Sequence, residues 1–143
     1  MITLKEKLDF FKSYSLVHRP LTNFINHILE KHAISSSYWR LLRVLENGES
    51  KNFGDISKEL IVEKPAVTKM IKQLSVQEMV EIHSGHDKRE KMVKLSQYGK
   101  EKLAVIRSDL NPFLEDLLKG LSQEQIEHAI EVLDTIRKNI ERI

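Results

Sequence analysis

Over the first thirty positions the apolar residues Leu4, Leu8, Phe11, Leu21, Phe24, Ile25 and Ile28 fall at mostly three- and four-residue steps. This is the spacing of an apolar stripe, and it predicts one long helix from about residue 4 to 31. Pro20 lies inside it and predicts a kink, because proline lacks a backbone donor and its ring crowds the preceding turn. Ser35, Ser36 and Ser37 offer N-caps for a second helix, whose Tyr38, Leu41, Leu42 and Leu45 follow the i, i+3, i+4, i+7 pattern until Asn47-Gly48. A short third helix is predicted after Asn52, with Phe53, Ile56 and Leu60 inward. Only Ile61 to Lys64 separate it from a fourth pattern, about Pro65 to Met79, that buries Val67, Met70, Ile71 and Leu74. Two short helices across so tight a turn predict a helix-turn-helix.

After Met79 the period falls to two. Val80-Glu81-Ile82-His83 alternates, Ser84 to Arg89 supplies turn residues and charge, and Met92-Val93-Lys94-Leu95 returns as a second strand. The expected fold is therefore mainly α with a small β-hairpin wing, a winged helix-turn-helix. Ser96 caps a further helix carrying Leu103, Ile106, Leu110, Leu114 and Leu117, with Pro112 as a second kink and Gly120 as the stop. Ser122 to Gln125 reads as a capping box, after which Ile126, Ala129, Ile130, Leu133, Ile136, Ile140 and Ile143 form an apolar seam. Long amphipathic helices at both chain ends have little winged-helix core left to cover, so they predict a homodimer interface. Three segments result: an N-terminal dimerisation helix over 1–34, a DNA-binding winged helix over 35–99 and C-terminal dimerisation helices over 100–143.

The net charge of +2 says little, but its placement changes the picture. Residues 58–102 carry 10 Lys+Arg against 7 Asp+Glu, whereas residues 103–143 carry 5 against 8. A polyanion responds to the local surplus, so a nucleic-acid face belongs in the middle of the chain. No apolar run approaches the roughly 18 to 20 residues of a membrane span. The charged start Lys5-Glu6-Lys7 does not suit a signal peptide, and a cytoplasmic location is expected. The chain has no cysteine, which excludes disulfides and thiol chemistry. No phosphate loop, nucleophile elbow or metal-ligand spacing is present, so neither an enzyme nor a cofactor or metal site is expected.

Residues Asp87-Lys88-Arg89-Glu90-Lys91-Met92-Val93-Lys94-Leu95-Ser96-Gln97-Tyr98-Gly99 are similar to the wing pattern D-x-R-x-x-x-V-x-L-T-x-x-G of the MarR family of transcription regulators, with Ser96 in place of the usual Thr. Pro65 to Leu74 resembles that family's recognition helix, and Ser36 to Leu42 the helix before its DNA-binding unit. The resemblance implies a winged helix that binds duplex DNA as a dimer on a pseudo-palindromic operator, a repressor released by a small aromatic ligand. Three positions depart from the family: Ile61 stands where Gly is frequent, Glu63 where Ser or Asp caps the recognition helix, and Glu78 where Gly precedes the first wing strand. The lysine-rich composition and Lys69 also fit the related SarA-type regulators.

On the recognition helix, Lys64, Pro65, Ala66, Thr68, Lys69, Lys72 and Gln73 are the candidate DNA contacts. Lysine neutralises phosphate, and the glutamine amide has the geometry to read adenine in the major groove. In the wing the candidates are Asp87, Lys88, Arg89 and Lys91, with Arg89 suited to a narrow A/T-rich minor groove and Asp87 placed to orient it. The resemblance further implies an effector cleft, for which Tyr38, Trp39 and His18 are the candidates. The competing reading is a winged-helix module that binds protein partners without DNA, to which Glu63 and Glu78 near the DNA face lend weight. Counterion release gives DNA binding a steep salt dependence that separates the two readings.

Overall fold

The first helix, α1 (Leu4–Leu29), starts at a capping box in which the Thr3 hydroxyl accepts from the Glu6 amide and the Glu6 carboxylate accepts from the Thr3 amide, both at 3.1 Å. The computed structural model describes all residues, 1–143. Pro20 sits inside α1 without ending it. The helix stops at Leu29, short of the expected residue 31, and Glu30–His32 form a 3-10 turn. Ala33 then takes a left-handed conformation (φ 60°) that redirects the chain.

Helix α2 (Ser36–Val44) has Ser35 at its N-cap, but the serine hydroxyl makes no capping bond. Asn26 of α1 replaces it, its Oδ1 accepting from the Ser36 amide at 2.6 Å. A cap supplied from another helix is invisible to a local sequence pattern, and it fixes the start of α2 to the end of α1. Asn52 caps α3 (Phe53–Leu60), accepting from the Asp55 amide at 2.7 Å. Helix α4 (Lys64–Val76) ends three residues before Met79, which is itself buried.

The wing holds one more strand than the periodicity predicts. Strands β2 (Val80–Ser84) and β3 (Lys91–Leu95) pair antiparallel, from Val80 opposite Leu95 to Ser84 opposite Lys91. A two-residue strand, β1 (Lys51–Asn52), adds to the other edge of β3 and gives the order β1-β3-β2. Two residues cannot show a period, so this strand leaves no sequence signal.

Leu29, Leu41, Leu42, Leu45, Ile56, Val67, Ile71, Leu74, Val93 and Ile106 are fully or almost fully buried and form one core. The wing joins this core through Ser96, whose hydroxyl donates to the Glu78 carbonyl at 2.6 Å and accepts from the Gly99 amide at 2.9 Å, capping α5 (Gln97–Leu117). Gly99 is there for lack of space: a Cβ would stand 2.1 Å from the Met79 carbonyl oxygen. Pro112, like Pro20, lies within its helix without ending it. After Gly120 (φ 85°), α6 (Gln123–Arg142) opens on the Ser122/Gln125 capping box. The chain divides into two compact units, Met1–Leu110 and Asn111–Ile143. No helix is long and apolar enough to cross a membrane.

Candidate nucleic-acid interface

Helix α4 divides by face. Val67, Ile71 and Leu74 are buried and Met70 half-buried, while Lys64, Pro65, Ala66, Thr68, Lys69, Lys72 and Gln73 are all exposed. Glu63 occupies the N-cap position with no side-chain capping bond, and Pro65 in the first turn needs no amide partner. The Thr68 hydroxyl donates to the Lys64 carbonyl at 3.1 Å, so toward a ligand it is left as an acceptor. Gln73 is committed elsewhere than expected: its Oε1 accepts from the Tyr38 hydroxyl of α2. The amide expected to read a base is therefore tied through Tyr38 to α2.

Ile61 and Glu78, the residues standing where glycine is frequent, both adopt left-handed conformations, with φ of 56° and 62°. The backbone path suited to glycine is kept with side chains that strain it.

At the wing tip the structure corrects the role assigned to Asp87. Its Oδ1 accepts from the backbone amide of Arg89 at 3.0 Å, and its carbonyl accepts from the Glu90 amide at 2.8 Å. No ion pair joins Asp87 to the Arg89 guanidinium. Aspartate closes the turn through the backbone, as short acidic side chains do, and the guanidinium is left free. The wing is tied to the helix-turn-helix by Asn52, whose Nδ2 donates to Glu90 Oε1 at 2.8 Å. Neither residue stands out in the sequence.

The electrostatic character of this face follows from what its cations do not touch. Lys64, Lys69, Lys72, Lys88, Arg89 and Lys91 have no carboxylate within 4.0 Å, whereas Lys94 on β3 pairs with Glu81 at 3.8 Å and Lys51 on β1 holds Glu59 at 2.9 Å.

Of the three candidate effector residues, Tyr38 lines a groove that Trp39 and His18 do not share. That groove, about 340 Å³, lies among α1, α2 and α4 and is walled by Asn26, Glu30, Ile34, Ser35, Tyr38 and Gln73. Trp39 is half-buried against the core, and His18 stacks on Tyr14 on α1 with ring centroids 5.7 Å apart.

The sequence profile of the MarR family matches residues 34–90, from the turn before α2 to the wing tip. The uncharacterized HTH-type transcriptional regulator YwoH of Bacillus subtilis is 34% identical over 102 residues, covering 71% of this chain and 74% of its own. The chain belongs to the MarR family. Among solved structures, Staphylococcus aureus MarR in complex with salicylate and kanamycin superposes with a TM-score of 0.84 at 25% identity, over 97% of this chain and 95% of that one. A mutant E. coli MarR complexed with operator DNA shares the fold, with a TM-score of 0.80 at 19% identity over 95% of this chain and 99% of its own. This MarR-family protein is thus a transcriptional regulator with a DNA-binding winged-helix fold, and not an enzyme.

Proposed function

We propose that this MarR-family protein is a cytoplasmic homodimeric repressor that reads a pseudo-palindromic operator with α4 in the major groove and the wing in the flanking minor groove. The observation that carries the reading is the unpaired state of six of the seven cations on α4 and the wing, Lys94 alone holding a carboxylate, that of Glu81 at 3.8 Å. Exposed cations normally gain little from carboxylate neighbours, so a face kept free of them holds its full attraction for phosphate. Lys64, Lys69 and Lys72 contact backbone phosphates, while Pro65, Ala66, Thr68 and Gln73 approach base edges. Arg89 enters the minor groove, with Lys88 and Lys91 beside it and Asp87 shaping the turn. The MarR structure holding operator DNA supports this docking by its shared fold.

The apolar faces of the terminal helices support the dimer. Ile130 and Leu133 on α6 are 54% and 48% exposed, and Leu8 and Phe11 on α1 are 61% and 50% exposed. Release by a small aromatic ligand is assigned to the groove at Tyr38, because a ligand there competes for the hydroxyl that holds Gln73 of the recognition helix. The S. aureus neighbour bound to salicylate and kanamycin supports ligand control of this kind.

The test is selection of bound duplexes from a random pool, with and without a panel of small aromatic acids. A two-fold symmetric enriched site is expected, with half-sites about 34–36 Å apart. Arg89→Ala should weaken binding most on A/T-rich flanks, and Lys69→Ala should lower the salt slope by roughly one unit per lost phosphate contact. No enrichment, with binding indifferent to salt, would instead favour a protein-binding module.

A further inference from the structure

Between the start of α4 and the wing lies a cleft of about 400 Å³ lined by Asn52, Gly54, Lys64, Arg89, Glu90 and Lys91. Lys64 leans over the start of α3: a Cβ placed on Gly54 would lie 3.7 Å from its Nζ. Three cations thus share the cleft with one carboxylate, Glu90. In so small a space they would be expected to pair, yet Glu90 pairs with none of them within 4.0 Å. Its Oε1 is taken instead by Asn52 Nδ2 at 2.8 Å. Asn52 can do this because its two amide atoms serve two elements, the oxygen capping α3 and the nitrogen holding Glu90.

We infer that this cleft is a slot for one phosphodiester of the DNA backbone, and that Asn52 is the positioning residue that keeps it open by holding Glu90 away from Lys64, Arg89 and Lys91. The inference rests on the DNA-binding reading above. A protein with a helix in a major groove and a wing in the adjacent minor groove straddles the sugar-phosphate strand that separates them. The gap between helix and wing must then accept a phosphate, and here that gap carries three unpaired cations, Lys64, Arg89 and Lys91. A Glu90 released from Asn52 would occupy the slot as an internal anion and compete with the phosphate.

The test uses the full-length chain, a mixed-sequence DNA duplex and the most enriched selected duplex, titrated over a range of salt. Asn52→Ser keeps a good N-cap for α3 but is too short to reach Glu90. It should melt like wild type and bind DNA roughly two- to fivefold more weakly, the scale of an exposed ion pair gained by the competitor. Adding Glu90→Gln should restore binding to wild-type level or tighter, and Glu90→Gln alone should bind at least as tightly as wild type. A merely structural role for Asn52 predicts no such rescue. If wild type binds duplex with a steep salt slope but Asn52→Ser binds equally well, or Glu90→Gln fails to restore it, the slot is overturned while the DNA-binding reading stands. If wild type itself binds no duplex, both fall. Should Asn52→Ser melt early, Glu90→Asp decides: shortened away from Asn52, its carboxylate should weaken binding, and unchanged binding would overturn the proposal.

Discussion

The two ends of α5 belong to regions that use apolar residues differently. In the unit Met1–Leu110 a stripe at helical spacing is hidden: Leu41, Leu42, Leu45, Ile71 and Leu74 are at most 1% exposed, each adding roughly 1.5–3 kcal/mol by leaving water. In the unit Asn111–Ile143 an equally regular stripe is not, and α6 has no buried residue at all. The same periodicity therefore serves two purposes. Where several short helices and a sheet converge, it builds a core within one chain. In α6 it leaves an exposed apolar face, on which the proposed dimer would rest. Under that proposal the distinction is between stability independent of concentration and stability set by mass action.

The strongest way to break this comparison is to charge the open face. Leu133→Asp with Ile136→Asp should leave the winged helix folded but dissociate the proposed dimer. DNA affinity should drop roughly 10²- to 10⁴-fold as two linked half-sites become one. Sedimentation equilibrium at micromolar concentration reads the first effect and duplex titration the second. A variant that stays dimeric would move the interface away from α6.

Next in size is Gly99→Ala, which tests the closed region at its tightest point. In an ordinary helix interior this change gains roughly 1 kcal/mol. Here the added carbon would stand 2.1 Å from the Met79 carbonyl, which belongs to the backbone and cannot swing aside. A loss of about 3 kcal/mol or more in urea unfolding is expected, with no dependence on protein concentration. A gain would mean that α5 is free to move off the sheet.

Ile61→Gly should act in the opposite direction. Ile61 is 76% exposed and gives up little burial, while a left-handed conformation strains a branched residue by roughly 1–2 kcal/mol. The extra freedom of glycine in the unfolded chain returns roughly 0.4–1 kcal/mol of that. A net stabilisation of about 0.5–1 kcal/mol should appear in the same unfolding series, and destabilisation would show that the turn is relaxed.

These cases also show what a sequence can carry. The helix-turn-helix, the hairpin and the seam of α6 were legible because each repeats a local period over several residues. Ile61 and Glu78 were legible as departures from glycine, and the structure supplies the reason in their positive φ. What stayed hidden is pairing between distant positions. Asn26 capping α2, β1 joining β3, Tyr38 holding Gln73 and Asn52 holding Glu90 each require the fold before the partner exists. Asp87 shows the converse hazard: two residues before Arg89 in a charged tip it was placed to orient that side chain, and its oxygen accepts from the Arg89 backbone amide instead.

The smallest effect, and the one most sensitive to conditions, belongs to a pair of this hidden kind. His32, its side chain 7% exposed, donates from its ring N–H to Asp109 Oδ2 at 2.7 Å, and Lys31 Nζ stands 3.5 Å from the same oxygen. The contact fastens the turn after α1 to α5 across 77 positions of sequence. The hydrogen bond from His32 holds the Asp109 carboxyl below the usual aspartate range against the opposing effect of burial, with Lys31 adding to the lowering. A carboxylate whose folded pKa is depressed contributes stability that is fully present above its unfolded value and is lost as pH falls through the folded one. Asp109→Asn should therefore melt below wild type at neutral pH, and the gap should narrow as pH drops beneath the ordinary carboxylate range. Thermal unfolding of both proteins from neutral pH to the acid limit of folding measures that gap. A gap that stays constant with pH would mean that Asp109 acts by shape and hydrogen bonding alone, not by its charge.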